Sequence, residues 1–160
     1  TSANNSPDIF ICKLNPQDNF LWAKQFSGLT PNYGYAVTTD SQGSIYITGE
    51  FSVSVDFDPN VGTQNLITTG GPDAFIAKLN SQGDFRSANQ LGSSSSSVTV
   101  TNIVLDNNEN LFAPGRFGGG SVDFDSGMGI NNISSNSGLD AYIYKINSSQ
   151  TVSISELNKR

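Results

Sequence analysis

The chain has 160 residues, a formal net charge of −6, 14% charged residues, no histidine and one cysteine. That length suits one domain or part of a larger one, and the missing histidine removes Ser-His-Asp triads, Cys-His pairs, HExxH zinc sites and imidazole proton shuttles. Cys12 alone excludes an intrachain disulfide and CxxC chemistry, and the scattered lysines and arginines form no stripe that would neutralise nucleic-acid phosphates or an anionic membrane surface.

The chain opens TSANNSPD, without a basic or apolar leader, and its start at Thr reads as a processed chain or an excised piece. DIFICKLN at 8–15 predicts a strand, and WAKQF at 22–26 lies in the next one. GLTPNYG at 28–34 is a loop. AVTTD at 36–40 is a β-branched strand ending at a Ser-Gln-Gly turn, followed by IYIT at 45–48. SVDFDPNVG at 54–62 predicts a hairpin-like excursion, then come strands at 66–69, 75–79 and 85–91, with a second Ser-Gln-Gly turn between the last two. The serine run at 93–97 reads as a flexible loop by composition. Further strand signals fall at 110–117, 121–125 and 140–147, with VSISEL at 152–157 as a closing strand. No stretch holds a helical period, and no apolar run approaches the ~20 residues of a membrane helix.

These elements repeat. DIFICKLN at 8–15, DAFIAKLN at 73–80 and DAYIYKIN at 140–147 are spaced by 65 and 67 residues. WAKQF at 22–26 corresponds to SANQL at 87–91, SIYITGEF at 44–51 to NLFAPGRF at 110–117, and SVDFD occurs at both 54–58 and 121–125. A fixed period signals a solenoid, propeller or array, and about four strands per period is one propeller blade. Ile9, Phe10, Ile11 and Cys12, like Phe75, Ile76 and Ala77, are apolar on both alternating faces. A strand covered on both sides carries such a run, as the middle strands of a blade between two others would. The fold class expected is therefore all-β, with four-stranded antiparallel blades. The recurring Lys13, Lys78 and Lys145 read as structural groups at the strand end, and the recurring Asp8, Asp73 and Asp140 as turn caps.

The stretch GPDAFIAKLNSQGDF, together with AVTTDSQGSIYITGEF and SVDFDP, resembles the bacterial β-propeller repeats of the SBBP type, in the variant with a VDFDPG-like hairpin in each blade. The resemblance covers roughly residues 8–147. It implies a secreted or surface-exposed propeller, often of about seven blades within a larger protein, and no shared enzymatic activity. A closed propeller needs about four to eight blades, whereas this chain holds about two and a half: a half blade at 1–28, a blade at 29–92 and a blade at 93–160. The remaining blades come from the rest of a longer protein, from another chain or from further copies of this one.

SVDFD sets Val55 and Phe57 on one face of a strand and Asp56 and Asp58 on the other. Asp56, Asp58 and Asn60 match the first three ligand positions of a calcium loop, but Val61 and Ile67 stand where its glycine and bidentate glutamate belong. In the second copy Asp123 and Asp125 are followed by Gly127, which has no side-chain ligand. Calcium is thus a possible cofactor through Asp56, Asp58, Asn60, Asp123 and Asp125, none is required, and the competing reading is a structural hairpin repeated because blades repeat. A carboxylate pair for glycan chemistry would draw on Glu50 and Asp106, yet Arg116 replaces Glu50 in the next unit and no catalytic residue is assigned. Asn4, Asn132 and Asn147 begin N-x-Ser triplets, which matter only in a glycosylating host.

The loops before corresponding strands differ, and recognition on a repeated scaffold falls on such loops. Asn32, Tyr33 and Tyr35 are the candidate contact surface. The expectation is a non-catalytic extracellular or cell-surface scaffold that binds a protein or glycan, or further copies of its own blades, without nucleic acid and without membrane insertion. A calcium-stabilised repeat is the alternative, and a glycan-active hydrolase or lyase the third reading.

Overall fold

A computed structural model describes residues 6–68, 70–125, 130–135 and 138–148. Every ladder among them is antiparallel, and the strands form three stacked sheets with a separate hairpin. The central sheet orders β3 (Tyr33–Thr39), β4 (Ile45–Phe51), β7 (Asp73–Leu79) and β8 (Phe85–Leu91) as a meander. On one side of it lies a sheet of β1 (Ile9–Leu14), β2 (Phe20–Gly28), β5 (Ser54–Asp56) and β6 (Asn65–Ile67). On the other lies a sheet in which β11 (Leu111–Gly118) pairs with β14 (Leu139–Ile146) and with both β9 (Ser97–Val100) and β10 (Val104–Leu105). The separate hairpin is β12 (Ser121–Asp123) with β13 (Asn132–Ser134). The chain is all-β and built of propeller blades. The strand expected at 152–157 lies outside the described residues.

The alternation of β7 explains the stacking. Phe75, Ala77 and Leu79 enter one core with Ile9, Phe26, Ile45 and Ile47, while Ala74 and Ile76 enter a second with Val98, Val100, Leu111 and Ala113. Successive side chains on a strand point to opposite faces, so one strand seals two interfaces. Both cores are clusters of buried apolar side chains. Full burial of side chains such as Phe75 contributes about 1.5–3 kcal/mol each.

Among the described residues the strands turn four times by one device. Asn15, Asp40, Asn80 and Asp106 each accept, at Oδ1, the N–H groups two and four residues on; for Asp40 these are Gln42 at 3.0 Å and Ser44 at 2.7 Å. The residue three positions on is left-handed: Asp18 at φ 61°, Gly43 at 76°, Gly83 at 84° and Glu109 at 61°. A short side chain that replaces a backbone acceptor is what favours Asn and Asp at such turns. The recurrent lysine braces the same end. Lys78 Nζ lies 3.6 Å from Asp40 and 4.7 Å from the Tyr46 ring centre, and Lys145 Nζ sits 5.3 Å over Phe112, the residue equivalent to Tyr46. Lys13 donates to the Ser81 carbonyl of the neighbouring sheet at 2.8 Å.

The hairpin excursion crosses between sheets. β5 and β6 follow β4, yet β5 pairs with β2 of the preceding sheet, through Ser27 with Asp56 and Gly28 with Val55. The last two residues of the β2 edge are thereby paired by the next unit, and exposed strand edges are aggregation sites that proteins cover in this way. The serine run is docked in its turn: Ser93 bridges Ser96, and buried Ser96 donates to the Ser121 carbonyl at 3.1 Å.

Candidate functional site

The two SVDFD copies share their aromatic packing and loop closure, although β5 also pairs with β2 while β12 pairs with β13 alone among the described strands. Val55, Phe57 and Val122 are fully buried. Phe57 meets Phe26, Phe51 and Phe75 with ring centres 5.3, 5.5 and 4.7 Å away. Its counterpart Phe124 meets Phe117 at 5.4 Å and Tyr142 at 4.9 Å, which are the counterparts of Phe51 and Phe75. Asp56 Oδ1 accepts the Asp58 N–H at 3.0 Å and the Gln64 N–H at 2.8 Å; Asp123 Oδ1 accepts the Asp125 and Asn131 N–H groups, both at 2.9 Å. Donors two and eight residues on are therefore tied to one oxygen in each copy. The segment recurs because its apolar pair plugs the space between blades and its first aspartate closes the hairpin loop.

This geometry bears on calcium. Asp56 Oδ1 faces two N–H dipoles, Asp58 Oδ1 accepts the Asn60 N–H at 2.9 Å, and Asn60 Oδ1 accepts the Lys24 ammonium. A lysine thus brings positive charge to the groove, about 390 Å³, that Lys24, Ser27, Asp56, Asp58 and Asn60 line. Among the described residues no group of three or more histidine, cysteine, aspartate or glutamate side chains is gathered as for a metal ion. Gly127 lies outside the described residues.

The predicted loop surface divides. Asn32 is 2% exposed, and its side chain donates to the Thr30 carbonyl at 2.6 Å while its Oδ1 accepts the Ser52 N–H at 3.2 Å. It ties the loop to the end of β4 and has no surface to offer, which corrects its place in the expected contact set. Its amide does the work of a backbone pair, so a polar type in a loop misled. Tyr33 and Tyr35 are nearly half exposed.

Around the two tyrosines the structure gathers residues that sequence spacing did not bring together. Tyr33 stands opposite Glu50 in the ladder, and Thr99 stands opposite Arg116 at the equivalent position of the next blade. The blades are linked here: Thr99 Oγ1 donates to Glu50 Oε2 at 3.3 Å, and the Tyr35 hydroxyl faces the same carboxylate. Desolvation raises the Tyr35 hydroxyl well above the ordinary tyrosine value, with the Glu50 bond and charge adding to it and Arg116 opposing. Tyr35 sits where the register of β3 and β4 shifts between Gly34 and Ala36. A bulge of this kind re-aims side chains and is frequent next to functional sites. The signal in the sequence was the exchange of Glu50 for Arg116 between otherwise similar repeats.

Glu50 and Asp106 do not form a catalytic pair. Asp106 is held in the turn before β11 by Asn108, Asn110 and the Asn110 amide. The equivalent turn precedes Ile45, and Glu50 lies five residues beyond it, about 16 Å along the strand at ~3.3 Å per residue.

No family model matches the chain. Among curated proteins it is similar to one described as an uncharacterized WD repeat-containing protein, from Acanthamoeba polyphaga mimivirus, at 30% identity over 117 residues. The match covers 64% of this chain and 8% of that protein, so the chain spans less than a tenth of the relative's length.

Proposed function

We propose that the chain is a non-catalytic β-propeller scaffold that recognises a protein or glycan surface through the patch of Tyr33, Tyr35, Glu50, Thr99 and Arg116. One observation carries this reading: the polar residues that recur from blade to blade are engaged in turns and braces, while the pair that changes, Tyr33 with Glu50 against Thr99 with Arg116, sits together and partly exposed. Half-exposed tyrosines supply contact area at low entropic cost, with polar groups alongside for orientation. The WD repeat-containing relative supports a scaffold role. Low charge and abundant Ser, Asn and Thr support a secreted or surface setting, as does the resemblance to SBBP-type repeats.

Immobilised chain screened against a glycan panel and a peptide panel, with product analysis, tests this. The expected result is binding without turnover, weakened at least tenfold in Tyr33→Ala with Tyr35→Ala. Turnover of any glycan would move the assignment to carboxylate chemistry. Binding that ignores both tyrosines would remove the patch from the site. The second reading, calcium held by the VDFD hairpins, rests on the aspartate pair in each, Asp56 with Asp58 and Asp123 with Asp125.

A further inference from the structure

In the β5–β6 hairpin Val55 and Leu66 enter the core, so Ser54 and Ile67, paired one step along the ladder, point to the other face. The Leu29 N–H donates to the Ser54 carbonyl at 3.4 Å, and the Thr68 N–H to the Val53 carbonyl at 3.0 Å. Leu29, Val53 and Ile67 are thereby brought to one end of the hairpin, and they are 63%, 48% and 61% exposed. Single exposed apolar residues are ordinary, but three aliphatic side chains at one hairpin end form a surface.

The second hairpin closes in the same way without them. Ser121 pairs with Ser134 as Ser54 does with Ile67, and the Ser135 N–H donates to the Gly120 carbonyl as Thr68 does to Val53. Ser134 thus stands for Ile67, Gly120 for Val53, and the serine run 93–97 for Leu29. Val122 enters the core with Phe117 of the last sheet, so Ser134 looks the other way, toward the side on which the first sheet stands. Ser134 is exposed with that sheet in place, and so are Ser94 and Ser95. The site of Ile67 is therefore solvent surface on a stacked blade, and its exposure is not owed to where the chain begins.

Val53 carries strain as well. Its φ is 64°, a left-handed value that is an outlier for a β-branched residue. The second hairpin passes the same bend with Gly119 at φ 89° and Gly120, and glycine adopts such backbone freely. Strained residues of this kind cluster where a chain binds or acts. The fold is served by Ser and Gly at these positions, so the aliphatic side chains are surplus to it.

We propose that Leu29, Val53 and Ile67 are the apolar anchor of a protein-binding surface, which takes an uncharged segment of a partner protein through its apolar side chains. This rests on the reading of Tyr33 and Tyr35 as the recognition patch and decides between its two partner classes. The anchor adjoins that patch: Thr30 Oγ1 donates to the Ser52 carbonyl, and Asn32, the residue before Tyr33, accepts the Ser52 N–H. Aliphatic side chains exclude water against an apolar partner and offer nothing to sugar hydroxyls, and the residues among them, Thr30, Ser52, Ser54 and Thr68, carry no charge.

Binding of the immobilised chain to uncharged peptides rich in Leu, Ile and Phe, to charged peptides and to a glycan panel tests this. The uncharged apolar peptides are expected to bind, and binding is expected to weaken about tenfold or more in Ile67→Ser and in Val53→Asn. Both variants are expected to melt close to wild type, since Ile67 lies in solvent and Asn tolerates left-handed backbone. A clear fall in both melting midpoints would show that these side chains hold the hairpin, and would overturn the proposal. Apolar peptides that bind both variants as tightly as wild type would do the same. Binding confined to glycans or charged peptides, and lost in Tyr33→Ala with Tyr35→Ala, would overturn the anchor and leave the tyrosine patch standing. Binding by none of the three probes would remove both.

Discussion

Gln90 donates from Nε2 to Oδ2 of the fully buried Asp73 at 2.6 Å, and one repeat earlier Gln25 donates to Asp8 Oδ2 at 2.7 Å. The recurrent aspartate therefore joins the third strand of a blade to the fourth. Its other oxygen faces the loop that leaves the blade: Gly28 N–H reaches Asp8 Oδ1 at 3.3 Å. At Asp73 the Ser93 N–H faces the carboxylate, but Oδ1 has no partner of full hydrogen-bond geometry. A Cβ at Gly92 would fall 1.9 Å from that oxygen.

Burial raises the Asp73 carboxyl to about 6 from the ordinary 3.8, against the downward pull of Gln90 and Ser93. The folded chain then holds this proton more tightly than the unfolded chain. The penalty for a buried charge is full above the folded value and gone below the unfolded one. Stability should rise on acidification from pH 7 to pH 4, on the order of 2–3 kcal/mol for a shift of about two units. Asp40 acts with the opposite sign: burial raises its carboxyl, but the Ser44 N–H and hydroxyl, the Lys78 ammonium and the Gln42 N–H together pull it below 3.8, and the stability it contributes is lost below that value. Melting midpoints across pH 3–8 should peak between pH 4 and 5, and Asp73→Asn should flatten the rise from 7 to 4. An unchanged slope in that variant would remove Asp73 as its source.

Gly49 lets the tyrosine strand approach. A Cβ there would lie 1.8 Å from the Tyr33 carbonyl oxygen and 2.8 Å from the Phe75 ring. Gly49→Ala should destabilise by about 2–4 kcal/mol, as backbone must move to relieve the clash. Urea denaturation measures the loss. Near wild-type stability would show that β3 and β4 separate easily at the bulge.

The VDFD hairpins are expected to melt alike in EDTA and in millimolar calcium at fixed ionic strength. Asp56→Ala should cost about 1–3 kcal/mol, because it leaves the Asp58 and Gln64 N–H groups without their acceptor. Asp56→Asn keeps an acceptor oxygen and should cost less. A midpoint raised several degrees by calcium, and lost in Asp56→Asn with Asp123→Asn, would instead establish the metal reading, since ligand at 100 times its Kd adds about 2.7 kcal/mol.

The all-β class and the blade unit follow from the sequence alone, because they are written in local alternation and in the recurrence of DAFIAKLN-like strands. Burial of β7 on both faces was legible for the same reason: a strand apolar at successive positions can satisfy both sides only between two layers. The Asx turns were legible too, since Asp40 and Asn80 each precede a glycine that tolerates positive φ.

Only the tertiary structure decided which groups meet across the chain. The pairing of β5 with β2 joins residues about 30 apart in sequence, and a strand's own pattern does not name its partner. Asn32 turned inward because unsatisfied backbone groups at Thr30 and Ser52 needed its amide, a demand visible only once the loop is folded. Glu50 became part of a patch with Tyr35 and Thr99 because blade stacking set β4 against β9. Local pattern determines the strands and their faces. Contact between the faces, and hence the site, depends on how separate repeats exclude water from one another.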